Sequence, residues 1–259
     1  HAPDPRDVDR DNFDFRGPLR RAIGRDVTVE FDYTGFWDSR NAVADTYRKG
    51  RIFIAGDAAH THPPYGGFGL NNGLEDACNL GWKLVARIHG WGGEALLDSY
   101  SLERQPVFRD VAEDFIAARI KEDAAFYARH NPARDRADFE AAWTGRKTDY
   151  TDRVRRYEPN YEGSPIVVGP PAGKTGAFGE HRFDARPGHH VAPQKLTSGR
   201  SVHEEFGAGF TLLAFGATDG SARAIADAAR TLSVPLKVIE DSFAGGREDV
   251  WEPSEDIYW

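Results

Sequence analysis

The chain has 259 residues, enough for one large domain or two ordinary domains with a substantial core. Its 33 Lys and Arg residues and 41 Asp and Glu residues give a net charge of −8 without a basic block, which argues against nucleic acid as a partner. No apolar stretch approaches membrane-spanning length, and the single cysteine excludes an intramolecular disulfide framework and suits a reducing compartment. These features predict a cytoplasmic protein without a membrane partner.

Extended structure is predicted before residue 51. Residues 27–33 alternate between apolar and polar side chains, which is typical of a strand with one solvated face. Residues 37–47 read as a second extended segment, and a turn at 48–50 then leads into the next element.

The stretch from residue 51 to residue 88 has three parts. Arg51–Ala55 is a short apolar run, which predicts a buried strand, and Asp57 follows it at the C-terminal edge. A turn rich in Pro and Gly then leads into a helix that is predicted to begin near Leu70–Asn72. The helix positions expected to be buried recur at spacings of three and four residues and are Leu74, Ala77, Cys78, Gly81, Leu84, Val85 and Ile88.

This order of elements is typical of a ligand-binding edge. Ligands of open α/β sheets settle beyond the carboxyl ends of the strands, and glycines in the turn allow the backbone to come close to a flat or bulky group. A helix start adds unpaired N–H groups and the positive end of the helix dipole. An electron-rich group is stabilised there by roughly 0.3 to 2 kcal/mol from the dipole alone.

The second half of the chain predicts helices, a linker and a βαβ unit. Helical spacing continues to about residue 127, and residues 131–188 are charged and then rich in Gly and Pro, as expected for a linker. A strand at 210–215, a helix at 222–232 and a strand at 236–239 follow. This last region contains no Cys-x-x-Cys motif and no cysteine, which excludes thiol redox chemistry there.

The glycine-rich stretch resembles the second FAD-binding motif of the single-component FAD-dependent aromatic hydroxylases. The similarity is greatest to the phenol and chlorophenol monooxygenases and their polyketide hydroxylase relatives. The matching positions are Gly56, Asp57, Ala58, Ala59, His60, Pro63, Pro64, Gly66, Gly67, Gly69, Leu70, Asn71, Asp76, Ala77, Asn79, Leu80, Trp82 and Lys83, followed by Tyr100, Glu103, Arg104 and Pro106.

The resemblance implies a cofactor and a reaction. NADPH or NADH would reduce FAD, and O2 would then form a C4a-hydroperoxide that hydroxylates a phenolic or polycyclic aromatic substrate. Tyr65 would border the substrate. The cofactor-binding residues implied by the motif are Asp57, Pro64, Gly67, Gly69, Leu70 and Asn71.

The resemblance also implies a domain plan. Residues 1–50 would end a substrate-binding sheet region, and 51–130 would be the C-terminal part of a glutathione-reductase-like FAD-binding domain. Residues 131–188 would be a linker, and 189–259 a truncated thioredoxin-like α/β domain. The chain lacks methionine and a Gly-x-Gly-x-x-Gly motif. We therefore expect a C-terminal part that is inactive without its N-terminal half, and a homodimer is compatible with this plan.

Several alternatives stay open at this point. The scaffold could serve an epoxidase or a non-hydroxylating FAD protein, or the chain could be a non-catalytic interaction module. His60 and His62 lie two residues apart, but no nearby ligand set completes a metal site, so no metal is predicted. Glu103 and Arg104 are expected to form structural ion pairs, and the base that activates the substrate is not identified.

Overall fold

A computed structural model describes residues 9–36, 39–169, 173–182, 186–215, 220–242 and 244, with only the backbone described for 147–154. The chain divides into two compact units, His1–Arg40 and Asn41–Trp259.

The first unit contains one short helix, α1 (Arg16–Ile23), which ends at Gly24 in a left-handed conformation. Within the described part of this unit, residues 27–33 form no strand, so that prediction was wrong. An alternating pattern specifies a strand only where a neighbouring strand supplies hydrogen bonds and a face to pack on.

Four short strands open the second unit. β1 (Ala42–Val43) pairs antiparallel with β4 (His60–Thr61), and β2 (Arg48–Lys49) pairs antiparallel with β3 (Ile52–Phe53). The buried strand predicted at 51–55 is therefore a two-residue hairpin strand, and Ile52 is 70% exposed. Among the described residues β3 pairs with β2 alone.

A helical pair forms the centre of this unit. α2 (Phe68–Ile88) packs against α3 (Glu94–Asp110), which continues through a π-helical segment (Val111–Ala117) into α4 (Ala118–Arg129). The long apolar pattern predicted to run to about residue 127 is confirmed by this continuous helix. The main hydrophobic cluster around this helical pair consists of Phe68, Val107, Val111, Phe115, Ile116 and Ala177.

The buried face of α2 is not the predicted one. Its buried residues are Phe68, Asn72, Asp76, Asn79, Lys83 and Ala86, most of them polar. Leu74, Cys78 and Val85 are exposed, and Ile88 is 79% exposed. The prediction failed because charged and polar partners on α3 face α2, and a polar stripe satisfies them where an apolar stripe would leave them unpaired.

The remaining elements follow this pair in the chain. α5 (Arg136–Arg155), β5 (Tyr157–Asn160) and β6 (Gly176–Phe178) lie in the predicted linker, and the antiparallel β5–β6 pair packs on α3. β7 (Phe210–Leu213), α6 (Ser221–Thr231) and β8 (Leu236–Ile239) form a parallel βαβ unit, as predicted. The chain is thus a mixed α/β protein, and in its described part no helix is both long and apolar enough to cross a membrane.

Candidate functional site

The predicted carboxylate lies on a tight turn beside α2. Gly56 adopts φ 55° and begins a 3-10 turn (Gly56–Ala58) that carries Asp57. A Cβ placed on Gly73 of α2 would lie 3.6 Å from the Gly56 Cα, so the turn and the helix approach within ordinary contact distance. Asp57 is exposed, and its neighbour Gly56 holds it next to the first turns of α2.

The start of α2 is open. Gly66 and Gly67 both have positive φ, at 67° and 72°, and the helix begins at Phe68, two to four residues earlier than the predicted start near Leu70–Asn72. The Asn71 side chain donates to the Gly67 carbonyl at 3.1 Å, and Leu70 is 75% exposed. The first N–H groups of a helix have no partner within it, so this end offers donors to a ligand.

His62 lies under the same turn. Its Nδ1 is 2.5 Å from the Pro63 carbonyl oxygen, which can only accept, so Nδ1 is the donor in this contact. That Nε2 is buried without a partner and lies 3.6 Å from where a Cβ on Gly69 would be. Among the described residues no group of three His, Cys, Asp or Glu side chains is placed to hold a metal ion.

Tyr65, the predicted substrate neighbour, points to α4. Its hydroxyl donates to the carboxylate of Asp123, and its ring is partly exposed. Asp123 is also paired with Arg119 and Arg146. Pro64 is exposed beside it. The predicted residues therefore lie in three places: Asp57 on the 56–58 turn, Pro64, Tyr65 and Gly67 in the segment before α2, and Gly69, Leu70 and Asn71 in the first turn of that helix.

A buried carboxylate connects this turn to the helices. Asp76 Oδ2 accepts from the Gly56 N–H at 3.0 Å and lies 2.7 Å from His60 Nε2. Its Oδ1 accepts from Arg104 Nε at 2.8 Å. The Arg104 guanidinium also donates to Glu75 at 2.6 Å and to the Asn72 side chain at 3.1 Å. Asp76 and Arg104 are both fully buried.

The charge of Asp76 is stabilised where it lies. Burial acts to raise the pKa of its carboxyl, but hydrogen bonds from His60 and Arg104, the charge of Arg104 and the Gly56 N–H outweigh burial. The pKa of Asp76 is therefore lower than its ordinary value, and the group is an ionised acceptor at neutral pH.

A second buried network lies further along the same helix pair. Glu103 Oε2 accepts from Lys83 Nζ at 2.5 Å and from the Asn79 amide at 2.6 Å, and Oε1 accepts from the Ser164 hydroxyl at 2.6 Å. Burial lowers the pKa of Lys83, and Glu103 opposes that shift. The ion pairs expected for Glu103 and Arg104 are confirmed. Asn79 and Lys83, whose spacing of about one turn would also suit a surface position, are buried.

Sequence reasoning missed these networks although a signal was present. Residues 72, 76, 79 and 83 are all polar and lie four, three and four positions apart, which places them on one helix face. A polar stripe of this kind, together with adjacent Glu103 and Arg104 on the next helix, indicates a buried charged interface.

Comparison with known proteins shows that the sequence of this chain is similar to those of flavin enzymes. Residues 3–114 match a family model described as an FAD binding domain. Over 105 residues the chain is 60% identical to a rifampicin monooxygenase of Rhodococcus hoagii, covering 39% of this chain and 21% of that protein. Over 222 residues it is 36% identical to a 4-methyl-5-nitrocatechol 5-monooxygenase of a Burkholderia species, covering 84% of this chain and 38% of that protein.

A solved structure gives the same result over most of the fold. The rebeccamycin biosynthetic enzyme RebC, solved with reduced flavin, matches with a TM-score of 0.68 and 32% identity, covering 91% of this chain and 45% of that one. The chain spans less than half the length of these relatives. Residues 3–114 are thus similar to an FAD binding domain, and most of the chain is similar to part of the flavin-dependent monooxygenases.

Proposed function

We propose that this chain supplies the ring-facing and ribityl-facing part of the FAD site in an aromatic monooxygenase that uses NADPH or NADH and O2. One observation carries the proposal: the turn that carries the exposed carboxylate Asp57 packs on Gly73 in the second turn of α2, close to the open N-terminus of that helix.

The residues of the turn fit a flat, electron-rich ligand. Nothing lies within 4 Å of a Cβ placed on Gly67, and Gly69 has only the His62 ring near it, so the backbone at the helix start is accessible. Asp57 would accept hydrogen bonds from ribityl hydroxyl groups. Gly67, Gly69, Leu70 and Asn71 would present the helix start to the pyrimidine edge of the ring.

Each residue then has a defined task. Bound FAD would supply the redox chemistry, while the chain provides placement and electrostatics. The N-terminus of α2 would stabilise negative charge at the ring edge, because its N–H groups and dipole point there. Pro64 would give a rigid wall without an N–H donor, and Tyr65 would border the aromatic substrate.

The complete activity belongs to a longer assembly in this proposal. The matched relatives are about twice as long, and the 259 residues contain no Gly-x-Gly-x-x-Gly motif for the pyrophosphate. We place residues 51–130 in a glutathione-reductase-like FAD domain and 189–259 in a thioredoxin-like domain, with 131–188 between them. A phenolic or polycyclic substrate and a homodimer complete the proposal.

The experiment compares two exposed carboxylates in the gene product that carries these residues. We expect Asp57→Asn to weaken FAD binding about tenfold or more, because a charged acceptor of hydroxyl groups is lost. Asp45→Asn is the control, since Asp45 is also exposed but lies on a different loop. Fluorescence titration gives the affinity, and NADPH or NADH consumption with a phenol tests the activity. Equal affinity of both variants and wild type would contradict the assignment of Asp57.

A further inference from the structure

We infer that Asp76 is a positioning residue for the flavin edge: through Gly56 and His60 it holds the turn that presents Asp57. This inference rests on the proposed function, because it assigns Asp76 a role toward the same cofactor. Asp76 is fully buried, so its role is exerted through other residues and not by contact with the ligand.

The contacts of Asp76 enclose the turn. Its Oδ2 accepts from the N–H of Gly56, directly before Asp57, and meets the ring of His60, three residues after Asp57. One carboxylate oxygen therefore ties both ends of the 56–60 segment to α2. The left-handed conformation of Gly56 makes this tie important, because a glycine without it has many other conformations available.

The carboxylate is itself fixed from the other side. Arg104 of α3 donates to Asp76 Oδ1, and its remaining nitrogens donate to Glu75, Asn72 and the Tyr161 hydroxyl. A guanidinium with this many partners has one favourable orientation, so α3 sets the position of Asp76 and thereby the position of the turn.

Glu103 provides a matched control within the same helix pair. It is a buried carboxylate with an ion pair to α2, and it accepts from Lys83, Asn79 and Ser164. These partners lie away from the 56–60 turn. Loss of Glu103 should therefore reduce stability without changing the flavin edge.

The test compares Asp76→Asn with Glu103→Gln. Asparagine keeps the shape of the side chain, but it has only one acceptor oxygen and no charge. It therefore cannot accept from both the Gly56 N–H and Arg104 as the carboxylate does. We expect Asp76→Asn to weaken FAD binding about tenfold or more and to speed hydrogen exchange in residues 54–61 without flavin. Glu103→Gln should lower the melting temperature and leave both readings within about twofold of wild type.

A second variant keeps the test decisive if Asp76→Asn does not fold. His60→Gln retains the ion pair between Asp76 and Arg104 and removes the imidazole at one end of the turn, so it should also loosen residues 54–61 and weaken FAD binding. If Asp76→Asn folds and its hydrogen exchange and FAD affinity equal those of wild type, the inference is overturned and the proposed function still stands. If Asp76→Asn does not fold, the same result for His60→Gln overturns the inference. If the wild-type gene product that carries these residues held no flavin, the proposed function and this inference would both be overturned.

Discussion

Replacing Lys83 by Met tests whether the charged interface between α2 and α3 stabilises the fold. The Lys83 side chain is fully buried and that of Glu103 is 2% exposed, with 2.5 Å between Nζ and Oε2. Methionine has nearly the same length and no charge. The substitution therefore leaves the Glu103 carboxylate buried without its counter-ion.

The size of the effect follows from what remains around Glu103. Breaking a buried ion pair by removing one partner costs about 3 to 5 kcal/mol. Asn79 and Ser164 still donate to the carboxylate, so we expect the lower end, about 3 kcal/mol, for Lys83→Met. Glu103→Gln should cost a similar amount. The double variant removes both charges, and the two changes should couple by about 2 kcal/mol.

Urea denaturation of the four proteins at neutral pH measures these free energies of unfolding. Arg87→Met offers a control on the same helix, because Arg87 lies one turn beyond Lys83 and its side chain is about half exposed. Its pair with Glu94 should contribute less than about 1 kcal/mol. The interpretation of this interface as buried and energetically coupled would be refuted if each single variant lost less unfolding free energy than Arg87→Met and the two losses were additive in the double variant.

Two further predictions concern Asp76 and the exposed face of α2. Because the pKa of Asp76 is lower in the folded chain than in the unfolded chain, its stabilisation is complete above about pH 4 and is lost as pH falls toward the folded value. The difference in unfolding free energy between wild type and Asp76→Asn should thus shrink in urea titrations below about pH 4, and a constant difference would contradict the shift. Replacing Leu74 and Ile88 by Gln should reduce binding of an apolar dye by the 259-residue chain without lowering its melting temperature, because both side chains are exposed. A clear drop in melting temperature would show that this face is buried.

The C-terminal βαβ unit illustrates what local pattern can predict. Its second strand was predicted at 236–239 and is found there, and its helix differs by one residue at each end. Both strands are short apolar runs separated by a helix with one apolar face, so local propensity and tertiary packing agree. The start of α2 was placed within four residues for a similar reason, since Gly66 and Gly67 end the preceding turn.

The burial of α2 shows where the same reasoning fails. Hydrophobic periodicity selects the most apolar stripe of a helix and assigns it to the core. In this chain the buried stripe carries Asp76 and Lys83, whose cost of burial is offset by Arg104 and Glu103 on another helix. A partner twenty or more residues away does not enter a local pattern. The prediction of a buried strand at 51–55 was wrong for a related reason, because the length of a strand depends on the neighbouring strands with which it pairs.

The geometry of the candidate site and its affinity for FAD depend on different groups. On the polar face of α2, Asp76 and Lys83 form ion pairs with α3, and the contact between Asp76 and Gly56 sets the turn. The geometry of the proposed flavin edge is therefore determined within these residues. Tight FAD binding also requires groups for the pyrophosphate, and these 259 residues contain no Gly-x-Gly-x-x-Gly motif to supply them. We therefore expect these 259 residues to form the flavin edge with the correct geometry but to bind FAD weakly.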